Sequence, residues 1–226
     1  TIDRWHSSKV QEFEYEQTKR ALEKALGVDM VSRALEIGPG DGVWTSIIFS
    51  RVTEGLHLVE QSQAMLTLAK KHLAGVSGIT FEHGDFLYSY PPEHNDLVVA
   101  VRCFEYFEDK PAVLKKIHNL LTKDGRVIII TKNPKLLTSV PSQSKLLHSA
   151  QVSVGEMRLL AEEAGFNVTS VYPAVLRWKA TFPPMRVLFT VLHKLAVASS
   201  GALQIPFIST FATESYVYVL SKKAHV

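Results

Sequence analysis

The sequence predicts an α/β fold: an open, mostly parallel seven-stranded sheet with helices on both faces, an antiparallel last strand and a helical insertion just before it. Three observations predict this. Apolar runs of strand length alternate with helix-patterned segments across short links, the pattern of crossover connections in a parallel sheet. The run "NDLVVAVRC" (95–103) is apolar without alternation, as suits a central strand covered on both faces. In "RALEIGPGDGVWT" (33–45) an apolar strand passes through glycines at 38, 40 and 42 into a second apolar segment, a joint that calls for a sharply turning backbone.

In chain order, 8–26 reads as an N-terminal helix. "RALEI" (33–37) is the first strand and "VWTSIIFSRV" (43–52) the helix after it. "GLHLVE" (55–60) is the second strand. "QAMLTLAKKHL" follows as a helix, with Met65, Leu66, Ala69 and Leu73 at helical spacing. "GITFEHGD" (78–85) and the 95–103 run are strands three and four. "PAVLKKIHNLL" (111–121) opens with Pro111, which is tolerated in the first turn of a helix. "GRVIIITK" (125–132) is strand five. "VSVGEMRLLAEEAG" (152–165) is a helix that stops at Gly165, where a left-handed residue carries no Cβ penalty. "FNVTSVYPA" (166–174) and "ESYVYVLSK" (214–222) are the final strands. The reading is of one domain: an N-terminal helical cap (1–28), a core (29–174), an insertion (175–213) interrupted by Pro183, Pro184 and Pro206, and the last strand (214–226).

Composition narrows the partners. The chain has 226 residues, 46% hydrophobic and 21% charged, with a net charge of +3. That balance belongs to an ordinary globular protein, and no basic run interleaved with aromatics follows a nucleic-acid backbone. One cysteine, Cys103, leaves no intramolecular disulfide and fits a reducing compartment. With no signal-peptide pattern at its start, the chain reads as cytoplasmic. The uncharged run between Lys194 and Glu214 carries Ser199, Ser200, Gly201, Gln204, Pro206, Ser209 and Thr210, too polar and broken for a spanning helix. The histidines are scattered, with no acid or cysteine at ligand spacing, so no metal site is expected.

Open parallel sheets bind ligands beyond the carboxyl ends of their strands, at the point where the strand order reverses. Gly38, Gly40 and Gly42 stand there, before a helix whose free amides suit an anion. Glu60 ends the second strand, where an acid can accept both hydroxyls of a ribose. Asp85 follows the third strand, placed to meet an adenine, with Phe86 beside it to stack. Dinucleotide sites prefer Gly-x-Gly-x-x-Gly. Here the third glycine comes one residue early, and Glu36 would face a pyrophosphate. A cationic sulfonium tolerates that acid, so the pattern favours S-adenosylmethionine over NAD.

"LEIGPGDG", Glu60, "GD" at 84–85, "FEYFED" and "LLTKDGRVIIITKNP" together resemble the successive motifs of class I S-adenosylmethionine-dependent methyltransferases, a Rossmann-like family. The most similar group is the ubiquinone/menaquinone-biosynthesis-like (methyltransferase type 11) branch. The likeness runs from about Asp29 to Phe166, and weakly to "DRWHSSKVQEFEYEQ", similar to the segment that folds over the cofactor there. The resemblance implies that Glu36, Gly38, Pro39, Gly40 and Gly42 shape the pocket for the methionine moiety. It implies further that Glu60 holds the ribose with Gln61 and Ser62 near it, and that Asp85 and Phe86 frame the adenine. Arg102 and Cys103 would lie beneath the sulfonium and its methyl group. Relatives carry Glu-His or His-His where this chain has Glu105 and Tyr106.

Methyl transfer is an in-line displacement in which positioning supplies most of the rate, while a hydroxyl acceptor also needs a base within hydrogen-bond reach. The candidates are Glu105, Tyr106 and His148, with His6 as a fourth if the N-terminal segment closes over the site. In the insertion, Met185, Leu188, Phe189, Leu192, Leu195 and Ala196 form a helical stripe flanked by Arg186, His193 and Lys194. The stripe has two readings: packing against the sheet, or an apolar tunnel or peripheral membrane contact through 183–211 suited to a lipid-linked acceptor. The expected activity is methyl transfer to a small-molecule or lipid-linked acceptor at oxygen. Carbon or nitrogen transfer, and a non-catalytic methyltransferase-like binding subunit, are the alternatives.

Overall fold

The structure is a computed structural model. It describes residues 8–134, 151–176 and 213–223, together with Val187, Leu188, Val191, Lys194, Leu195 and Ala198. His6, His148 and the rest of the insertion lie outside the described residues.

Helix α1 (Lys9–Leu26) begins where the Ser8 side chain accepts from the Gln11 amide and ends at Gly27. It leads to β1 (Val31–Ile37), α2 (Thr45–Phe49), β2 (Val52–Glu60), α3 (Gln63–His72), β3 (Ile79–His83) and β4 (Asn95–Val101). A 3-10 turn (Phe104–Tyr106), α4 (Lys110–Leu120), β5 (Leu121–Lys132), α5 (Val154–Glu163), β6 (Phe166–Leu176) and β7 (Thr213–Lys222) complete the order. The strands form one sheet in the order β3-β2-β1-β4-β5-β7-β6. Pairing is parallel from β3 to β5, and β7 runs antiparallel to both β5 and β6. The predicted mostly parallel seven-stranded sheet with an antiparallel last strand is therefore present, with the order reversing between β1 and β4.

Alternation along the central strands divides the core in two. Val98, Ala100, Val127 and Ile129 face α4, α5 and Phe104. Leu97, Val99, Val101, Ile128 and Ile130 face α1 and Trp44. Both layers are almost water-free, which explains why strand four reads as continuously apolar.

Boundaries differ from expectation where hydrogen bonds decide them. The helix predicted over 43–52 is a short one, Thr45–Phe49, because the Arg51 amide turns back to the Ile48 carbonyl and Val52 already pairs with Val31 in the sheet. Strand five starts at Leu121 rather than Gly125, directly off α4. Strand six continues beyond Ala174 to Leu176 by taking register shifts against β7. The insertion therefore spans 177–212, leaving and rejoining the sheet beside the carboxyl ends of β4 and β5.

Candidate active site

The site grows from the joint between β1 and α2. Gly38, Gly40 and Gly42 all adopt positive φ, at 63°, 60° and 83°, a region side-chain-bearing residues rarely visit. At Gly38 a second constraint applies: a Cβ there would come within 2.6 Å of the Cys103 Cβ. The loop thus rests directly on the end of strand four. Cys103 is fixed below it by its thiol, which donates to the Ile37 carbonyl at 3.0 Å. Burial, then the neighbouring carboxylates of Glu105, Glu60 and Glu36, push that thiol well above its ordinary range, so Cys103 is a neutral floor rather than a nucleophile.

Two acids back the loop. Glu60 is 8% exposed. Its Oε2 accepts from the Gly40 amide at 2.9 Å and its Oε1 from the Ser62 amide at 2.8 Å. It thus clamps the glycine loop to the N-terminus of α3, where Ser62 is the cap. Glu36 is buried deeper, at 1%, and takes a 2.7 Å bond from the Thr45 hydroxyl. Burial, with Glu60 adding to it, pushes its pKa up to about 8 despite the Thr45 bond. Glu36 therefore holds its proton at neutral pH.

The other predicted residues are placed unequally. Asp85 turns its carboxylate onto the Leu87 amide at 2.9 Å, at the edge of the site beside β3. Gln61 is exposed, its carbonyl bonded to the His83 ring at 3.0 Å. The Phe86 ring corrects the expectation of adenine stacking. It is 2% exposed, edge-on to Phe107, with the Lys116 ammonium 4.9 Å from its centroid, so the ring is committed to the core. That ammonium also ties the loop in place through the Phe86, Leu87 and Ser89 carbonyls.

Glu105 corrects a second expectation. It is 3% exposed, its Oε1 pairs with Arg102 Nε at 3.3 Å, and its Oε2 accepts from the Thr131 hydroxyl at 2.9 Å. Such a carboxylate holds Arg102 and is not a free base. Tyr106, beside it, is 59% exposed. Arg102 also pairs with Glu214, Nη1 to Oε2 at 2.9 Å. Burial alone would lower the guanidinium's pKa, but Glu214 and Glu105 outweigh it and hold it above the ordinary value. Glu214 and Thr131 were not anticipated. Their signal, a polar residue at the sheet end of β5 and of β7, has meaning only once those strands are known to be neighbours.

From the other side, Tyr15 of α1 stacks on Trp44 with centroids 5.1 Å apart. Gln17 bonds the main chain of Leu176 as donor and acceptor. The N-terminal helix thereby links the glycine loop to the start of the insertion. Among the described residues no group of His, Cys, Asp or Glu has the arrangement of a metal site.

The residues fit an adenosyl amino acid. A Cβ at Gly40 would meet nothing within 4 Å, leaving open space over a loop backed by two acids. Residues 35–129 match the family model described as a methyltransferase domain. The match and the shared fold support a class I S-adenosylmethionine-dependent methyltransferase, an enzyme with S-adenosylmethionine as its cofactor. Similar solved structures share the fold. One is a putative methyltransferase from Haloferax volcanii in complex with the Trm112 activator (15% identity, 99% of this chain and 98% of that one, TM-score 0.65). Another is the O-methyltransferase of a trans-AT polyketide synthase from Brevibacillus brevis with S-adenosyl-L-homocysteine (15%, 96% and 74%, 0.63). A third is phosphoethanolamine N-methyltransferase 2 from Haemonchus contortus with S-adenosyl-L-methionine (16%, 92% and 52%, 0.64). Among curated proteins, none matches the chain by sequence. Neither the family model nor these structures single out the ubiquinone/menaquinone-biosynthesis-like branch.

Proposed function

We propose that the enzyme methylates a hydroxyl of an apolar, small or lipid-linked acceptor. The observation that carries this reading is the insertion. It leaves the sheet at Leu176 and returns at Thr213, at the carboxyl end of β5. Its helical residues Val187, Leu188, Val191 and Leu195 are between 47% and 66% exposed. They repeat at i, i+1, i+4 and i+8, one face of a helix, with Lys194 on the same face. An apolar helix face flanked by a cation, in a segment that starts and ends at the carboxyl ends of the parallel strands, suits a hydrophobic acceptor or the membrane surface that holds it. No described helix is long and apolar enough to cross a membrane, so the contact proposed is peripheral.

S-adenosylmethionine supplies an electrophilic methyl group. The chain's part is to shape the pocket with Gly38 and Gly40, hold the ribose side with Glu60, and close the floor with Cys103. With Glu105 committed to Arg102, the acceptor hydroxyl is one that ionises readily, such as a phenol, and Tyr106 at the mouth is the candidate to touch it. The test is incubation with methyl-labelled cofactor and either a lipid extract or a water-soluble metabolite pool. Label in the organic phase as an alkali-stable ether supports the reading. Label confined to soluble amines or to protein refutes it. Cosedimentation with anionic vesicles, weakened by Leu188→Glu with Leu195→Glu, separately tests the membrane contact.

A further inference from the structure

We propose that Glu214 is a positioning residue for the cofactor site, acting through Arg102 to hold strand four's end in the strained shape on which the glycine loop rests. Arg102 has φ 60°, a left-handed conformation that an arginine keeps only when its surroundings enforce it. The enforcement is visible. Its amide donates to the Ile130 carbonyl at 2.7 Å. Its side chain, 22% exposed, is gripped by two nearly buried carboxylates, Glu105 from the 3-10 turn and Glu214 from β7. Glu214 is itself fixed at the sheet end, where its carbonyl accepts from the Asn133 amide at 2.9 Å.

What this turn does is set Cys103. The next residue comes out directly beneath Gly38, so close that a single added carbon would sit 2.6 Å from the Cys103 Cβ. If Arg102 relaxed to a negative φ, Cys103 would move and the contact supporting the glycine loop would change with it. The chain of contact runs from Glu214 to Arg102, from Arg102 to Cys103, and from Cys103 to Gly38. Each link is a hydrogen bond, a covalent bond or a van der Waals contact. Glu214 is also the second residue after the insertion, so whatever seats the insertion has a direct route to the cofactor floor.

The inference rests on the S-adenosylmethionine reading, and the experiment separates the two. Cys103 is the chain's only cysteine, which makes its alkylation by iodoacetamide a clean reporter of the floor. S-adenosylhomocysteine affinity, the Cys103 alkylation rate and the thermal midpoint are measured for wild type, Glu214→Gln and Glu162→Gln. The last loses only the exposed pair with Lys223. Glu214→Gln is expected to bind S-adenosylhomocysteine about tenfold more weakly and to alkylate at least about tenfold faster while still folded, given the strain that the lost ion pair was holding. Glu162→Gln should match wild type in both. A lowered midpoint in Glu214→Gln with unchanged affinity and alkylation rate makes the pair merely structural and overturns the inference. If Glu214→Gln does not fold, Glu214→Asp, which keeps the charge on a shorter arm, is read by the same two measurements. Wild type failing to bind S-adenosylhomocysteine would instead overturn the cofactor reading.

Discussion

Glu36 offers the sharpest physical test, because its proton is tied to folding. In the folded chain burial holds its pKa at about 8 against an ordinary 4.5. Between those values the folded state keeps a proton that the unfolded chain has given up. The unfolded state then binds fewer protons, so stability falls as pH rises. The sign is that of any acid whose folded pKa is raised: the contribution is full below about pH 4.5, declines from there, and is gone above about pH 8. At about 1.4 kcal/mol per pH unit, the loss between pH 4.5 and pH 7.5 amounts to about 4 kcal/mol. That is a large share of the stability of a domain this size.

Glu36→Gln has no proton to lose, and its side-chain carbonyl can still accept from the Thr45 hydroxyl. Urea unfolding at pH 5, 6, 7 and 8 should therefore show the wild type falling more steeply than the variant. The two curves should separate by about 1.4 kcal/mol for each pH unit across this window. The slope difference matters more than the absolute stabilities, because any packing penalty of the amide is the same at every pH. Parallel curves would refute the reasoning. They would mean that Glu36 ionises in the folded state as it does in the unfolded one, and that its burial is relieved in a way the fold does not show.

Gly38→Ala should destabilise by about 2 kcal/mol or more, read by thermal unfolding, since the new methyl collides with Cys103 and the φ is unfavourable. Glu60→Ala frees the Gly40 and Ser62 amides and should weaken S-adenosylhomocysteine binding by about 1–3 kcal/mol in calorimetry, the usual value of a charge-assisted bond. Unchanged affinity would reduce Glu60 to a strand end. Glu105→Ala leaves Arg102 with one carboxylate and should cost about 3 kcal/mol of folding stability in urea titration. A variant of wild-type stability and impaired turnover would restore Glu105 as a base.

The fold and the glycine loop were legible because their physics is local. Positive φ at three alternate positions demands glycine, and a strand covered on both faces demands an unbroken apolar run. Both requirements are written in neighbouring residues. The position of Glu60 was legible for the same reason, since the end of strand two is fixed by its own pattern. Strand boundaries near Val52 and Leu121 were not, because pairing with the adjacent strands at Val31 and Asn95, and not the local pattern, decides where these strands begin. Phe86 misled for a related reason. An aromatic beside Asp85 suits a stacking surface and a core residue equally well, and only the approach of Phe107 and Lys116 from elsewhere in the chain decides between them.

Glu105 shows where local reading ends for chemistry. Its position after strand four is that of an acid near the reacting methyl, and that much follows from the motif. Whether it can take a proton depends on what else its oxygens touch, and those partners are Arg102 and Thr131, with Arg102 in turn held by Glu214, 112 positions beyond it. Glu214 reaches Arg102 because β7 inserts between β5 and β6, an arrangement that no alternation of apolar and polar residues encodes. The ion pair with Arg102 that occupies Glu105 also helps, together with Glu214, to hold a strained residue under the cofactor loop. On the reading proposed above, Glu105 shapes the floor of the site and supplies no base. An acceptor hydroxyl acidic enough to ionise in water would then need none from the protein.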